Sequence, residues 1–148
     1  MRKLKVLFLC TGNSCRSVMG ETQLRHIAGD RFEVHSAGTS PKGINPIARQ
    51  VLEETGVDTD GIRSKHLSEF LESEIDYAII VCDDAAESCP RAWPGLRNKL
   101  LWPFEDPPAF PGTEAEKLNK FREVRDAIRQ RLTSWVAELE ASGAFEQK

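Results

Sequence analysis

The strongest constraint on this chain is an apolar run that breaks abruptly into a short polar loop. The segment reads Val6-Leu7-Phe8-Leu9-Cys10-Thr11-Gly12-Asn13-Ser14-Cys15-Arg16-Ser17. An unbroken apolar run such as residues 6–9 is typical of a strand that is buried on both faces of a parallel sheet. Gly12 and Asn13 both tolerate positive φ, so the backbone after the strand can curl and turn successive N–H groups inward. The segment therefore predicts a buried strand that ends in an anion-binding loop.

A helix is predicted directly after the loop, over residues 17–28, because apolar residues recur there at helical spacing and Gly29 follows them. Its N-terminus points back at Cys10. That N-terminus, the loop N–H groups and the Arg16 guanidinium all favour negative charge, so we expect a lowered pKa for Cys10. Cys10 is thus predicted to be a thiolate nucleophile beside a bound tetrahedral oxyanion, two of whose oxygens Arg16 can bind. The alternative is a buried core cysteine followed by a surface arginine, which gives no reason for the polar turn between them.

Composition narrows the class of protein. The chain has 148 residues, of which 40 % are hydrophobic and 29 % charged. This predicts one domain over residues 1–148 that buries a full core without disulfides or structural metal ions. The formal net charge of -3 argues against a general nucleic-acid or anionic-membrane binder. Only a handful of apolar residues follow the basic N-terminus, too few for a signal peptide or a membrane span. We therefore expect a cytoplasmic protein.

The rest of the chain alternates between strand and helix patterns. Further strands are predicted at residues 32–38, 75–82 and 99–102. Helices are predicted after the Asn45-Pro46 cap, weakly at Ser68, over residues 83–88, and after a capping box formed by Thr113 and Glu116. Alternation of this kind predicts a parallel sheet covered on both faces, which binds ligands beyond the carboxyl ends of its strands. Cys10, Cys82 and Asp106 all follow predicted strands at that edge.

The chain has four cysteines, at positions 10, 15, 82 and 89. A structural disulfide framework is not expected in a cytoplasmic domain of this size. A zinc site is the other conventional use, but Cys82-x6-Cys89 is wider than the usual ligand spacing, so we predict no metal. The remaining roles are catalytic or redox chemistry, with Cys15 as an inward-facing structural thiol.

The order strand, Cys10-x5-Arg16-Ser17, helix resembles the low-molecular-weight protein tyrosine phosphatase family. The resemblance implies an α/β three-layer sandwich whose four-stranded parallel sheet has the order 2-1-3-4, with helices on both faces. It also implies that Cys10 attacks the bound oxyanion and that Asp106, which precedes Pro107, is the general acid. The oxyanion-binding residues would be Thr11, Gly12, Asn13, Ser14, Cys15, Arg16 and Ser17. The phosphatases usually place an aromatic residue soon after this Asp-Pro, whereas here Phe110 is the nearest ring.

The pair Cys82 and Cys89 resembles the arsenate reductase branch of that superfamily, which thioredoxin regenerates. This resemblance implies a function in arsenical resistance, in which Cys10 attacks arsenate and Cys82 then attacks Cys10 to release arsenite. Cys89 would resolve the Cys10–Cys82 disulfide, and an external dithiol protein would reduce the Cys82–Cys89 disulfide that results. The implied partners are arsenate, with phosphate or sulfate as mimics, and thioredoxin or else a mycoredoxin or glutaredoxin. No tightly bound cofactor is implied, and a monomer is expected.

Geometry adds an expectation about this cysteine pair. If residues 82–89 are helical, the two Cα atoms lie about 10 Å apart, beyond disulfide reach, so the segment must unwind to oxidise. Two other functions stay open from the sequence. A tyrosine phosphatase would hydrolyse phenyl phosphates without needing Cys82, and a reductase could retain residual activity of that kind. A redox or oxyanion sensor would bind a partner when the Cys82–Cys89 disulfide forms.

A monovalent cation near the loop is a further point of the resemblance. Asn13, Glu21 and Ser36 match positions that hold such an ion in some relatives. The fourth position of that site is Lys65 here, and its ammonium can take the place of the ion. We therefore predict no dependence on potassium.

Overall fold

The computed structural model describes residues 3–81 and 93–145. Within these residues the strands are β1 (Leu4–Cys10), β2 (Phe32–Gly38), β3 (Ile75–Ile80) and β4 (Leu96–Leu101). The α-helices are α1 (Arg16–Ala28), α2 (Pro46–Glu54) and α3 (Glu114–Ser142). Short 3₁₀ helices span Leu67–Phe70 and Pro107–Ala109. The predicted alternation of strands and helices is confirmed over this part of the chain.

The four strands form one sheet in the order β2-β1-β3-β4, with every neighbouring pair parallel. This confirms the predicted order 2-1-3-4. Leu9 near the end of the central strand β1 pairs with Ala37 on one side and Ile80 on the other. The strand ends are therefore aligned, and the loop after Cys10 emerges at an edge shared with the ends of β2 and β3.

The edge strand β4 begins at Leu96, three residues before the predicted start at position 99. Its pairing with β3 begins at Ile75 opposite Leu96, while Arg97, Asn98 and Lys99 are exposed to solvent. An edge strand with exposed polar residues has no apolar run to mark its start.

The third predicted strand, which was expected to reach Cys82, ends at Ile80. Cys82, Cys89 and the helical turn predicted over residues 83–88 lie outside the described residues.

The long helix α3 covers one face of the sheet. Its N-terminus has the predicted capping box, in which Thr113 accepts from the Glu116 N–H and Glu116 accepts from the Thr113 N–H. Its buried apolar stripe comprises Phe121, Val124, Ile128, Leu132, Trp135, Val136 and Leu139. The Trp135 ring packs against the rings of Phe32, Tyr77 and Trp102. Across the described ranges, no helix has the length and apolar character needed to cross a membrane.

Candidate active site

A cavity of about 150 Å³ lies at the carboxyl edge of the sheet, between the end of β1 and the start of α1. Its described lining residues are Cys10, Thr11, Gly12, Ser14, Cys15, Arg16, Lys42, Asp106 and Pro108. Two of these carry a positive charge, Arg16 and Lys42, whereas Asp106 is the one acidic residue among them. The structure thus brings the predicted nucleophile, arginine and acid together around one cavity.

The Cys10 sulfur accepts hydrogen bonds at the floor of this cavity. The Asn13 backbone N–H donates to it at 3.2 Å, and the Ser17 hydroxyl oxygen lies 2.8 Å from it. The loop can aim the Asn13 N–H inward because Asn13 adopts the left-handed conformation, with φ of 45°. Asparagine enters that region more readily than other residues with a side chain. The predicted curl is therefore present at Asn13, whereas Gly12 does not have a positive φ.

The Asn13 side chain fixes the direction of the Ser17 hydroxyl. Its amide donates to the hydroxyl oxygens of Ser17 and Ser36, both at 2.9 Å, and its carbonyl accepts the Lys65 N–H at 2.7 Å. Since Ser17 accepts from Asn13, its own hydrogen is available to the Cys10 sulfur. Asn13 and Ser17 are fully buried and do not line the cavity. The structure thus places these two members of the predicted oxyanion-binding set behind the loop, where they contact the sulfur.

The network continues behind the loop to a buried ion pair. Ser36 donates to the Glu21 carboxylate, and the Lys65 ammonium lies 3.8 Å from the same carboxylate oxygen. Lys65 also donates to the Arg63 carbonyl at 3.0 Å, and Arg25 pairs with the other Glu21 oxygen. Burial lowers the pKa of Lys65, and the Glu21 charge opposes that shift. The ammonium therefore lies next to the Glu21 carboxylate that Ser36 also contacts.

Arg16 and Asp106 meet across the cavity. One Arg16 nitrogen donates to the Phe104 carbonyl at 3.0 Å, and the other lies 3.6 Å from an Asp106 carboxylate oxygen. Asp106 precedes the 3₁₀ helix Pro107–Ala109, and about half of its side chain is exposed. The segment after β4 is anchored to the sheet because the Phe104 N–H donates to the Val81 carbonyl. An acid is thus held at the open side of the cavity, opposite the loop.

Cys15 lines the cavity but is chemically unlike Cys10. It is buried at the start of α1, and burial together with the nearby Asp106 charge raises its pKa to about 12. Only the thiolate is a nucleophile, so this shift disfavours Cys15 as a nucleophile at neutral pH. This arrangement fits the inward-facing structural thiol that the sequence predicts.

Two residues at the site were missed by sequence reasoning. The Lys42 side chain lies across Gly12, so close that a Cβ at position 12 would sit 2.7 Å from the Lys42 Cε atom. The Ser64 hydroxyl lies 3.1 Å from the Gly12 carbonyl and 2.9 Å from the Asn13 carbonyl. Both residues come from loops distant in sequence and belong to no motif. No signal in one sequence would have found them.

The two other predicted cysteines, Cys82 and Cys89, lie outside the described residues. The residue before Cys82 is described. Val81 lies beside the end of β1, where its N–H donates to the Leu9 carbonyl at 2.9 Å.

Comparison with known proteins agrees with this geometry. Residues 5–144 match the family described as low molecular weight phosphotyrosine protein phosphatase. The chain belongs to this family.

The chain is also similar to proteins named arsenate reductase. One, from Halalkalibacterium halodurans, is 38 % identical over 135 residues, which are 91 % of this chain and 96 % of the relative. A solved structure described as an arsenate reductase in the phosphate binding state is 29 % identical, with a TM-score of 0.77 over 91 % of this chain and 98 % of that one. A thioredoxin-dependent arsenate reductase of Corynebacterium glutamicum is 28 % identical, with a TM-score of 0.75 over 95 % of this chain and 63 % of that one.

Proposed function

We propose that this protein is an arsenate reductase in which Cys10 is the nucleophile. The observation that carries the proposal is the Cys10 sulfur at the floor of a cavity, with the Asn13 N–H and the Ser17 hydroxyl directed at it. Two donors of this kind stabilise a thiolate. The similarity to arsenate reductases and the presence of Cys82 and Cys89 favour arsenate as the oxyanion and reduction as the reaction.

The first step is formation of a thiol–arsenate adduct. Arsenate has the shape and charge of phosphate, so the loop N–H groups and the N-terminus of α1 bind its oxygens. Arg16 turns from Asp106 toward two of these oxygens and binds them in a fork. The Cys10 thiolate then attacks arsenic, and Asp106 protonates the hydroxyl that leaves as water. The loop that surrounds the bound arsenate comprises Thr11, Gly12, Ser14 and Cys15.

The second step transfers two electrons to arsenic. The Cys82 thiolate attacks the Cys10 sulfur, the S–As electron pair stays on arsenic, and arsenite leaves with a Cys10–Cys82 disulfide behind it. The position of Val81 beside Leu9 supports this step, because Cys82 is the next residue in the chain. Cys89 then attacks Cys82, which frees Cys10 and forms the Cys82–Cys89 disulfide. Phosphate cannot follow this route because phosphorus at this oxidation level takes no electrons from thiols.

The reducing equivalents come from an external dithiol protein. The thioredoxin-dependent neighbour supports a reductant of the thioredoxin class, with a mycoredoxin or glutaredoxin as the other candidates. The proposal includes a cytoplasmic location, no tightly bound cofactor or metal, and a monomeric enzyme.

The test is arsenite release in a single turnover, together with a count of the thiols consumed. Cys10→Ser and Cys82→Ser are expected to abolish release, whereas Cys89→Ser is expected to release one equivalent of arsenite and then stall. Electrospray mass spectra of the stalled protein should show the loss of two hydrogens, from the Cys10–Cys82 disulfide. The proposal is wrong if arsenate leaves every thiol of the wild-type protein reduced.

Tyrosine phosphatase activity is the second candidate, because Arg16 and Asp106 are also what phosphoryl transfer needs. One observation weighs against it. The Phe110 ring, the nearest aromatic group after Asp106, lies 4.9 Å from the Lys120 ammonium, measured from the ring centroid. A ring that already packs against a cation on α3 is poorly placed to stack on a substrate phenol. A phosphatase would hydrolyse p-nitrophenyl phosphate at the same rate after Cys82→Ser and would leave arsenate unreduced.

A further inference from the structure

Two carboxylates follow each other in the segment after β4, at Glu105 and Asp106. A site for an oxyanion needs one acid, and a second carboxylate facing the same cavity would repel the ligand. The structure sends the two side chains to different cations. Asp106 lies 3.6 Å from Arg16 in the cavity, whereas Glu105 lies 3.1 Å from Lys120 on α3.

Lys120 contacts the segment at both of its ends. Its ammonium pairs with Glu105 before the 3₁₀ helix Pro107–Ala109 and lies over the Phe110 ring after it. It also pairs with Glu123 at 2.8 Å, one turn further along α3. The Lys120 side chain is only 15 % exposed, although both of its carboxylate partners are largely exposed. One partly buried cation thus holds the two ends of the segment that carries Asp106.

We propose that Lys120 is a positioning residue of the active site, which holds Glu105 against α3 so that Asp106 alone faces the bound oxyanion. This inference rests on the proposed role of Asp106 as the general acid. Lys120 does not line the described cavity, so it acts through Glu105 and Phe110.

The surrounding contacts explain why loss of the Lys120 charge would affect the active site. Without Lys120, Glu105 and Glu123 face each other as like charges, and repulsion drives Glu105 away from α3. Pro107 and Pro108 restrict the backbone after Asp106. The added conformational freedom is therefore confined to residues 105 and 106. These residues lie next to the Arg16 guanidinium, which binds the oxyanion.

The experiment compares Lys120→Met and Lys120→Arg with Lys117→Met as the control on the same helix. Lys120→Met is expected to weaken phosphate binding and to raise the KM for arsenate by about fivefold, the effect of one added unit charge at roughly 8 Å in a medium of intermediate dielectric constant. It should also shift the alkaline limb of the pH profile of kcat/KM, because the general acid Asp106 gains a charged neighbour. Lys120→Arg should restore wild-type values, and Lys117→Met should change neither quantity.

Glu105→Gln distinguishes the proposed effect of the Glu105 charge from a general loss of structure in the Lys120 variants. Once Glu105 is neutral, removal of the Lys120 charge should no longer weaken phosphate binding, so the double variant should bind phosphate as Glu105→Gln alone does. Equal effects of Lys120→Met in both backgrounds would overturn the inference. Lys120→Gln serves as a second neutral variant if Lys120→Met does not fold.

Phosphate affinity is measured without turnover, as protection of Cys10 from iodoacetamide, followed by mass spectrometry of the Cys10 peptide. This readout keeps the two proposals apart. If phosphate does not protect Cys10 in the wild-type protein, the proposed oxyanion site itself fails. If phosphate protects Cys10 equally in the wild type and in Lys120→Met, and the pH profiles coincide, only the role of Lys120 is wrong.

Discussion

At the residue scale, Lys65 places a positive charge inside the network that ends at Cys10. Lys65 is 8 % exposed, and its ammonium lies beside Glu21, which Ser36 links to Asn13. A covalently attached cation is present at an effective concentration that no dissolved ion matches. Arsenate reduction should therefore need no monovalent cation from solution.

We predict that wild-type activity is the same in potassium chloride and in tetramethylammonium chloride of equal ionic strength. Lys65→Ala leaves a buried carboxylate short of one partner and opens space beside it, which should lower stability by about 1–3 kcal/mol and make phosphate binding depend on potassium. Tetramethylammonium is the control because it is too large to enter the space. Strong activation of the wild type by potassium at neutral pH would contradict the prediction.

The lowered pKa of Lys65 sets the direction of a pH effect. Burial is the main cause, so the ammonium loses its proton at a lower pH than an ordinary lysine does. The internal cation is therefore lost as the pH rises through the lowered pKa, at a lower pH than an exposed lysine would lose its charge. Potassium stimulation of the wild type is expected to appear only on the alkaline side, and it should be measured as a potassium titration at several pH values.

Lys42 is the second residue whose charge can be tested separately. Its side chain lies across Gly12 and lines the cavity, and the residue is exposed to solvent. We predict that Lys42→Met raises the KM for arsenate by about three- to tenfold with little change in kcat, because a rim cation attracts the oxyanion before and during binding. Steady-state kinetics at low and high salt check this. Lys99→Met, an exposed lysine on β4, is the control and should leave KM unchanged.

At the element scale, the close approach of α1 to β1 explains why Gly20 occurs in the interior of a helix. A Cβ at Gly20 would lie 2.5 Å from the Phe8 ring, which is fully buried. Alanine normally stabilises a helix by roughly 0.5–1 kcal/mol over glycine. Here the overlap with a packed ring outweighs that gain, because overpacking a core costs about 1–3 kcal/mol.

Gly20→Ala is therefore predicted to lower the free energy of unfolding by about 0.5–2 kcal/mol, measured by urea denaturation. Phe8→Ala removes the Cγ, Cδ1 and Cε1 atoms of Phe8 that the Cβ would meet. In that background Gly20→Ala should be neutral or stabilising, and an equal destabilisation in both backgrounds would show that Phe8 is not the cause.

The same scale shows which parts of the fold a single sequence can reveal. β1, the loop and α3 were predictable because their local signals agree: an apolar run, residues that tolerate positive φ, and a capping box before an apolar stripe. The start of β4 was not, because exposed polar residues on an edge strand follow no burial pattern. Lys42 and Ser64 reach the loop only through tertiary contacts, so they leave no trace in local spacing. The pairing of Lys120 with Glu105 is hidden for the same reason.

At the scale of the whole molecule, α3 connects the active-site segment to the helices behind the sheet. Lys120 contacts the segment that carries Asp106, and Arg125 lies further along the same helix. Arg125 is buried and donates to the Val51 carbonyl at 2.8 Å and to Glu54 at 3.0 Å, both on α2. Its own carbonyl accepts from the Gln23 side chain of α1 at 3.0 Å. One residue thus links three helices.

Arg125→Met removes the guanidinium and leaves the Val51 carbonyl buried without its donor. We expect a loss of about 2–3 kcal/mol, or a fall in Tm of roughly 5–10 °C, because a buried group that loses its partner retains its desolvation penalty. Arg129→Met, at an exposed position on the same helix, should leave Tm within about 2 °C. Arg125 does not line the cavity, so kcat and KM of the folded variant should match the wild type at a temperature well below both transitions. A change in kcat or KM at that temperature would mean that contacts along α3 couple α2 to the active-site segment.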